Sequence, residues 1–214
     1  MAEWWWKLVR FGFRLLYNEL AFTYDTVSVV VSLGAWSCWQ RAALKHLDPP
    51  TATPILEIAH GTGNFQLDLH AAGYKAIGLD LSPAMGRIAS RKLIRRRLPC
   101  RLVRGRAQQL PFATASVASV ICTFPTNFIV AAETLHEIWR VLTPEGKLII
   151  VPNGQLMGSS IIIKSLEWLY HVTGQRGDDG DARALFQSFG FQIETFTENC
   201  PRSQSQIIVA QKST

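Results

Sequence analysis

From residue 54 onward the apolar positions fall into two registers, and the switch between them predicts the elements. Short apolar runs that read as buried strands lie at 54–58, 75–80, 101–104, 117–123, 147–152, 191–197 and 205–211. Between them apolar residues recur at helical spacing, notably over 63–72, 83–97 and 128–142. Alternation of this kind predicts an α/β domain, a mostly parallel sheet with helices on both faces. The last two runs are joined by a short link containing Pro201, which suits a hairpin and makes the final strand antiparallel.

Two segments break the pattern. Residues 3–46 read as helical and carry Trp4, Trp5, Trp6, Phe11, Phe13, Tyr17, Phe22, Tyr24, Trp36 and Trp39. Lys7, Arg10 and Arg14 sit among the first of these rings, a mixture that suits a membrane interface, although a helix capping the domain also needs apolar residues. Three consecutive tryptophans cannot all face one core. The second segment, 155–172, reads as one apolar helix (Ile161, Ile162, Ile163, Leu166, Trp168, Leu169, Tyr170) followed by a polar loop over 173–181. An insertion after the fifth strand lies at the carboxyl edge of the sheet, where ligands bind. The expected organisation is an N-terminal aromatic helical cap over 1–46 and a binding domain over 47–214. A substrate-lid insertion lies at about 152–181, whose plainer reading is an extra packing helix.

The first strand runs into Ala59-His60-Gly61-Thr62-Gly63, and the second ends in Asp80. A strand, a tight loop, a helix and a second strand tipped by a carboxylate make a nucleoside-binding half-site. Glycines let backbone approach a ligand, and a carboxylate accepts from ribose hydroxyls. A dinucleotide site would place a third glycine at the helix start, but that position is Gln66, which argues against NAD or FAD. Glu57, two residues before the turn, suits a ligand carrying an ammonium group and a sulfonium.

Four segments carry a family resemblance: Leu56-Glu57-Ile58-Ala59-His60-Gly61-Thr62-Gly63, Gly78-Leu79-Asp80-Leu81-Ser82-Pro83-Ala84-Met85, Gly105-Arg106-Ala107-Gln108-Gln109-Leu110-Pro111-Phe112, and the run from His136 to Ile150. In this order and spacing the chain, over roughly 17–210, resembles the class I S-adenosylmethionine-dependent methyltransferases. It is most similar to the small single-domain group that includes the ubiquinone/menaquinone C-methyltransferases. The resemblance implies a Rossmann-like, seven-stranded, mostly parallel sheet with an antiparallel last strand. It implies S-adenosyl-L-methionine as cofactor and S-adenosyl-L-homocysteine as product. On that basis Glu57, Ala59, Gly61 and Gly63 surround the methionine part, Asp80 takes the ribose, and Leu81 and Met85 flank the adenine.

Two residues depart from the family pattern. Ala59 stands where the first loop glycine is usual; it is small enough to be accommodated at a negative φ. Arg106 stands where an aspartate usually accepts from the adenine amino group, and a guanidinium has no acceptor. Adenine is then read by backbone groups of Ala107, by Gln108, or by stacking of Arg106.

Candidates for catalysis are Tyr24, His60 and His171. Tyr24-Asp25 resembles a pair that precedes the first strand in this group, its tyrosine over the cofactor; otherwise Tyr24 anchors a core and Asp25 caps a helix. His60 reads as a base or as a loop residue bonded to backbone, His171 as a lid residue reaching the substrate, and His136 as packing. Thr123-Phe124-Pro125-Thr126-Asn127 lacks the Asn/Asp-Pro-Pro-aromatic signature of amino methylation, which counts against adenine or glutamine-amide acceptors.

Composition narrows the partners. With 48% hydrophobic and 18% charged residues the chain is no disordered segment. Its four cysteines show no pairing pattern, so neither a disulfide framework nor a zinc site is expected, and no metal is assigned. No signal peptide or bilayer-spanning run is evident, which gives a cytoplasmic expectation. The net charge is +6, yet residues 87–106 alone hold nine basic side chains and no acid, leaving the rest at −3. That patch and the N-terminal helix suit peripheral contact with a membrane. Aromatics are not interleaved with the arginines, so nucleic acid is disfavoured and an RNA methyltransferase is the weaker reading. The expected acceptor is small and hydrophobic or lipid-like. The remaining alternative is a non-catalytic, cofactor-binding member of the fold.

Overall fold

The computed structural model describes residues 2–173 and 182–213. Its strands are β1 (Ile55–Ile58), β2 (Ala76–Asp80), β3 (Leu102–Arg104), β4 (Val117–Thr123), β5 (Leu142–Val151), β6 (Gly154–Leu156), β7 (Phe191–Cys200) and β8 (Ser203–Lys212). Its helices are α1 (Ala2–Tyr17), α2 (Tyr24–Val31), α3 (Trp36–Ala42), α4 (Asn64–Ala71), α5 (Pro83–Arg95), α6 (Ala132–Val141), α7 (Ile161–Val172) and α8 (Ala182–Ser188).

The sheet is Rossmann-like. β1 pairs in parallel with β2 and β4, β2 with β3, and β4 with β5. β8 enters antiparallel beside β5 and carries β7 on its other edge. β6 is an eighth strand that the apolar pattern did not announce. It pairs with the edge of β8 that β5 also uses, so it prolongs β5 beyond a break at Pro152–Asn153. The chain winds one way through β1, β2 and β3 and the other way through β4 and β5. A crevice opens above the carboxyl ends of β1 and β4, where the order reverses.

Both faces of the sheet are covered, which is why its central strands read as unbroken apolar runs. Leu56, Ile58, Val120, Leu148 and Ile150 point into one core with Leu135, Ile138, Phe186 and Phe191. Ile55, Ile121, Ile149 and Val151 point into the other, with Phe65, Leu69 and Ile207. This is the period-two alternation of a strand, shared between two layers. α5 begins at Ser82, whose hydroxyl accepts from the Met85 amide at 3.2 Å, with Pro83 in the first helical position.

Two expectations are corrected. The segment 155–172 is not one helix: Gln155 belongs to β6, and α7 starts only at Ile161, after Gly158 at φ 141°. Most of the polar loop predicted at 173–181 lies outside the described residues. The cysteines also differ from expectation, because Cys38 and Cys200 form a disulfide across 162 residues with Cα atoms 6.1 Å apart. α3 crosses the β7–β8 hairpin there, and the indole of Trp39 donates to Ser203 Oγ at 3.1 Å. Trp39 lies so close over Gly154 that any Cβ at that position would enter the ring. Lys45 and His46, just after α3, both reach the carboxylate of Glu198 on β7. Cysteine spacing cannot reveal a bond made by packing between the two ends of the chain.

Candidate active site

The crevice holds a cavity of about 540 Å³. One wall is the loop after β1. Gly63 has φ 79°, and a Cβ there would meet the Cβ of Ala89 on α5 at 2.6 Å, so the residue is fixed by conformation and by space. Around Gly61, which lines the cavity, nothing lies within 4 Å of where a Cβ would stand. The Gly61 amide donates to Asp80 Oδ2 at 2.9 Å, and the Ser82 amide to Oδ1 at 2.8 Å. Asp80 thus ties the β1 loop to the entry of α5 while lining the cavity itself. Ala59 lies at φ 58°, not the negative value expected, so a side chain occupies the left-handed region that glycine fills without strain.

Beneath the loop, Glu57 is 1% exposed. Gln66, standing where a dinucleotide site would want glycine, donates its amide to Glu57 Oε2 at 2.6 Å, while Oε1 has no partner. Burial pushes the Glu57 carboxyl up to about 8; the Gln66 bond opposes this, and Asp80 and Asp68 add to it.

Leu81, Met85, Arg106, Ala107 and Gln108 line the end of the cavity beside β2. The loop that carries 105–112 is braced from α6. Glu137 accepts from the Leu110 amide at 2.7 Å, and Arg140 donates to the carbonyls of Phe112 and Leu110 and to Glu137.

The opposite wall comes from the N-terminal helices and the loop after β4. Arg14 and Tyr17 reach the cavity from α1, Asn18 from the turn after it, Tyr24 from α2, and Thr123, Phe124, Thr126 and Phe128 from the far side. Rings follow one another along it: Tyr17 against Tyr24 at 5.8 Å, Tyr24 edge-on to Trp36 at 6.3 Å, Trp36 on Phe124 at 4.0 Å. Burial raises the Tyr17 phenol to about 12, helped by the charge of Asp80. Burial likewise holds Tyr24 well above the ordinary phenol value, with Tyr17, Asp25 and Asp80 adding to it. Both are neutral hydrogen-bond donors at physiological pH.

This wall is pinned to the loop by two contacts. Ser82 Oγ donates to the Tyr17 carbonyl at 2.6 Å. Asp25 gathers Thr62, Asn64 at 3.0 Å and Lys92 at 2.6 Å, and Lys92 also donates to Asn64 Oδ1. Burial alone would raise the Asp25 carboxyl, but Lys92, Thr62 and Asn64 bring it below the ordinary aspartate value.

Of the three catalytic candidates the structure brings only Tyr24 to the cavity. His60 is 5% exposed, sits against Gly78, and has Nδ1 at 2.8 Å from the Gly61 carbonyl; burial lowers its pKa, although Asp80 opposes the shift. His171 is exposed on the last turn of α7, away from the cavity lining. Among the proposed cofactor residues, Ala59, Gly61, Asp80, Leu81, Met85, Ala107 and Gln108 line the cavity, while Glu57 and Gly63 support the loop from behind. Sequence reasoning missed the Asp25–Lys92 anchor, the Glu137–Arg140 brace and the cavity roles of Tyr17, Asn18 and Phe128. Among the described residues no cluster of His, Cys, Asp and Glu side chains could hold a metal ion.

A crevice at the strand reversal, with a carboxylate-clamped glycine loop, defines a nucleoside-binding member of the Rossmann-like class. Residues 55–146 match the model of the methyltransferase domain family. A demethylmenaquinone methyltransferase of Chlorobaculum parvum is 30% identical over 167 residues, which is 75% of this chain and 67% of that protein. The demethylmenaquinone methyltransferase of Deinococcus radiodurans is 34% identical over 139 residues, 64% of this chain, and the chain spans only 58% of its length. In fold, geranyl diphosphate C-methyltransferase from Streptomyces coelicolor superposes with a TM-score of 0.64 at 12% identity, over 82% of this chain and 79% of that one. The chain belongs to the class I S-adenosylmethionine-dependent methyltransferases, in the group of the ubiquinone/menaquinone C-methyltransferases.

Proposed function

We propose that the protein transfers the methyl group of S-adenosyl-L-methionine to a ring carbon of a reduced, quinone-like, lipid-soluble acceptor. The carbon–sulfur bond breaks as the carbon–carbon bond forms, the hydrogen of that ring carbon then leaves to solvent as a proton, and S-adenosyl-L-homocysteine is released. The observation that carries this reading is the cavity itself. One end is the Gly61 loop clamped by Asp80, and the other is a wall of aromatic rings. The open space beside Gly61 and the carboxylate of Asp80 suit the amino-acid and ribose parts of the cofactor. Leu81 and Met85 would flank its adenine, with Ala107 and Gln108 reading the ring edge in place of the usual aspartate. Glu57 and Gly63 would hold the loop in shape from beneath it.

The sulfonium of the bound cofactor supplies an electrophilic methyl carbon. What remains for the chain is alignment and exclusion of water. Tyr17, Tyr24 and Phe124 present ring faces that favour a nearby cation and an apolar acceptor. As neutral phenols, Tyr17 and Tyr24 orient the acceptor by donating hydrogen bonds, and neither removes a proton. No base role is assigned to His60 or His171, since neither lines the cavity. In this reading residues 1–46 act as a cap over the acceptor end, and the insertion at about 152–181, of which 174–181 lie outside the described residues, serves as the substrate lid. An acceptor of this kind resides in a bilayer, so in this reading the protein works at a membrane surface.

Calorimetric titration with S-adenosylmethionine and S-adenosylhomocysteine tests the cofactor half. Micromolar binding that Asp80→Ala weakens at least tenfold is expected, and no binding to either ligand would sink the reading. The acceptor half is tested by mass spectrometry of a reduced, short-chain demethylmenaquinone analogue, which should gain one methyl group. Turnover confined to hydrophilic metabolites would overturn it.

A further inference from the structure

The large apolar side chains that the fold leaves exposed are not scattered. Of nineteen among the described residues, ten lie between Trp4 and Leu33 and five between Met157 and Leu169. Helical spacing divides α1 into three stripes. Val9, Phe13 and Leu16 are half-buried and face the molecule. Trp4, Leu8 and Phe11 form a second apolar stripe that faces out, exposed by 69%, 46% and 52%. Lys7, Arg10 and Arg14 fill the stripe beside it, all exposed.

α7 repeats the arrangement. Ile163, Leu166 and Tyr170 turn inward, whereas Ile161, Ile162, Trp168 and Leu169 are exposed by 81%, 61%, 64% and 40%. Its one acid, Glu167, accepts from the Leu156 amide and so faces β6, and the exposed Lys164 stands one turn before the exposed Trp168. A helix on an ordinary protein surface turns its polar side to water; here the outer side is the apolar one. The two helices are joined. Trp5 Nε1 donates to the Val172 carbonyl at 2.9 Å, and the Tyr170 hydroxyl donates to Val31 at the end of α2, also at 2.9 Å.

Charge selects the occupant. A second copy of this chain would bring the same lysines and arginines against each other. An anionic bilayer offers phosphates to the cations and the acyl boundary to the rings. We infer that α1 and α7 together form a docking face for an anionic lipid bilayer. α1 also delivers Arg14 and Tyr17 to the cavity rim, so docking sets the cavity mouth at the lipid surface. The inference rests on the lipid-acceptor reading only for what the docked protein would receive there.

The test uses the full chain without cofactor or acceptor, sedimented with vesicles of phosphatidylcholine alone or with about one third phosphatidylglycerol. Binding to the anionic vesicles should dominate, fall with salt, and be accompanied by quenching of tryptophan fluorescence by brominated lipid. Lys7→Glu with Arg10→Glu should weaken it roughly 30-fold, at about fivefold per basic charge. Trp4→Ser with Trp168→Ser should cut binding at least tenfold and remove most of the quenching, leaving S-adenosylhomocysteine affinity unchanged. Arg91→Glu with Arg95→Glu on α5 should change it less than threefold. Failure to bind vesicles, or equal binding by the tryptophan variant, overturns the inference. So does a dimer in light scattering that the tryptophan variant splits, since the face would then belong to a second copy. Cofactor titration and turnover of a water-soluble short-chain acceptor need no vesicles, so the proposed function stands or falls separately.

Discussion

The two walls of the cavity are built on different principles. Every residue of β1 is buried, and the loop above it is fixed by backbone amides on Asp80 and by a glycine that no other residue can replace. Across the cavity, no described residue of α1 is fully buried, and that helix is tied to the loop only at its end, where the Tyr17 carbonyl accepts from Ser82 Oγ. A wall of the first kind is pre-formed for one invariant ligand. A wall of the second kind opens at a fraction of the global unfolding free energy and can adapt to a bulky acceptor.

Gly63→Val attacks the rigid wall directly. The clash with Ala89, added to a β-branched side chain at φ 79°, should cost more than about 3 kcal/mol and abolish cofactor binding in calorimetry. A well-folded variant with normal affinity would show that the wall is softer than described. Removing the disulfide by Cys38→Ser with Cys200→Ser should cost about 2–4 kcal/mol in denaturant unfolding. Cofactor affinity should change less than threefold, because the bond secures α3 and not the loop. In the intact protein under non-denaturing conditions, thiol titration should count the exposed Cys100 alone, and after unfolding without reductant Cys122 as well.

The pH dependence separates the walls further. The folded protein keeps the Glu57 proton up to about 8, while the unfolded chain releases it near the ordinary carboxylate value. The unfolded state therefore binds fewer protons across that window, and stability falls as pH rises from about 4.5 to about 8 and then levels off. Glu57→Gln should flatten this slope in thermal melts, and an unchanged slope would place its origin elsewhere. Asp25→Ala frees Lys92, Thr62 and Asn64 and should cost about 1–2 kcal/mol, with weaker cofactor binding as the loop loses its anchor. The smallest effect is a gain. Ala59→Gly relieves a left-handed alanine and should stabilise by about 1 kcal/mol or less, since glycine also loosens the unfolded chain.

Legibility in the sequence follows the same division. The rigid wall depends on backbone conformation and on one carboxylate at the end of a strand, and both leave local marks: Gly61, Gly63, Asp80 and the apolar runs that carry them. The burial of His60 left a fainter mark, a glycine inside the neighbouring strand at position 78, which signals close approach. The sign of φ at Ala59 left none, because an alanine in a loop is compatible with either sign. The adaptable wall depends on side chains that meet from far apart in the chain: Asp25 with Lys92, Tyr17 with Ser82, Cys38 with Cys200. Periodicity shows which face of a helix is apolar but not which partner it meets. For that reason α1 and α7 were legible as unusual helices, while their connection through Trp5 and Tyr170 was not. The break at Gly158 was lost inside an otherwise apolar stretch.

The bond between Cys38 and Cys200 also sets an order of events during synthesis. Cys38 leaves the ribosome long before its partner, and 162 residues of sheet-forming chain separate them. Cys200 lies at the turn into β8, and β8 is the strand that must slot between β5 and β7. The nascent cap helices therefore remain unlocked until the last strand has been made and inserted. A chain truncated or stalled before that point keeps a free thiol at residue 38, a chemical mark that distinguishes unfinished molecules from finished ones.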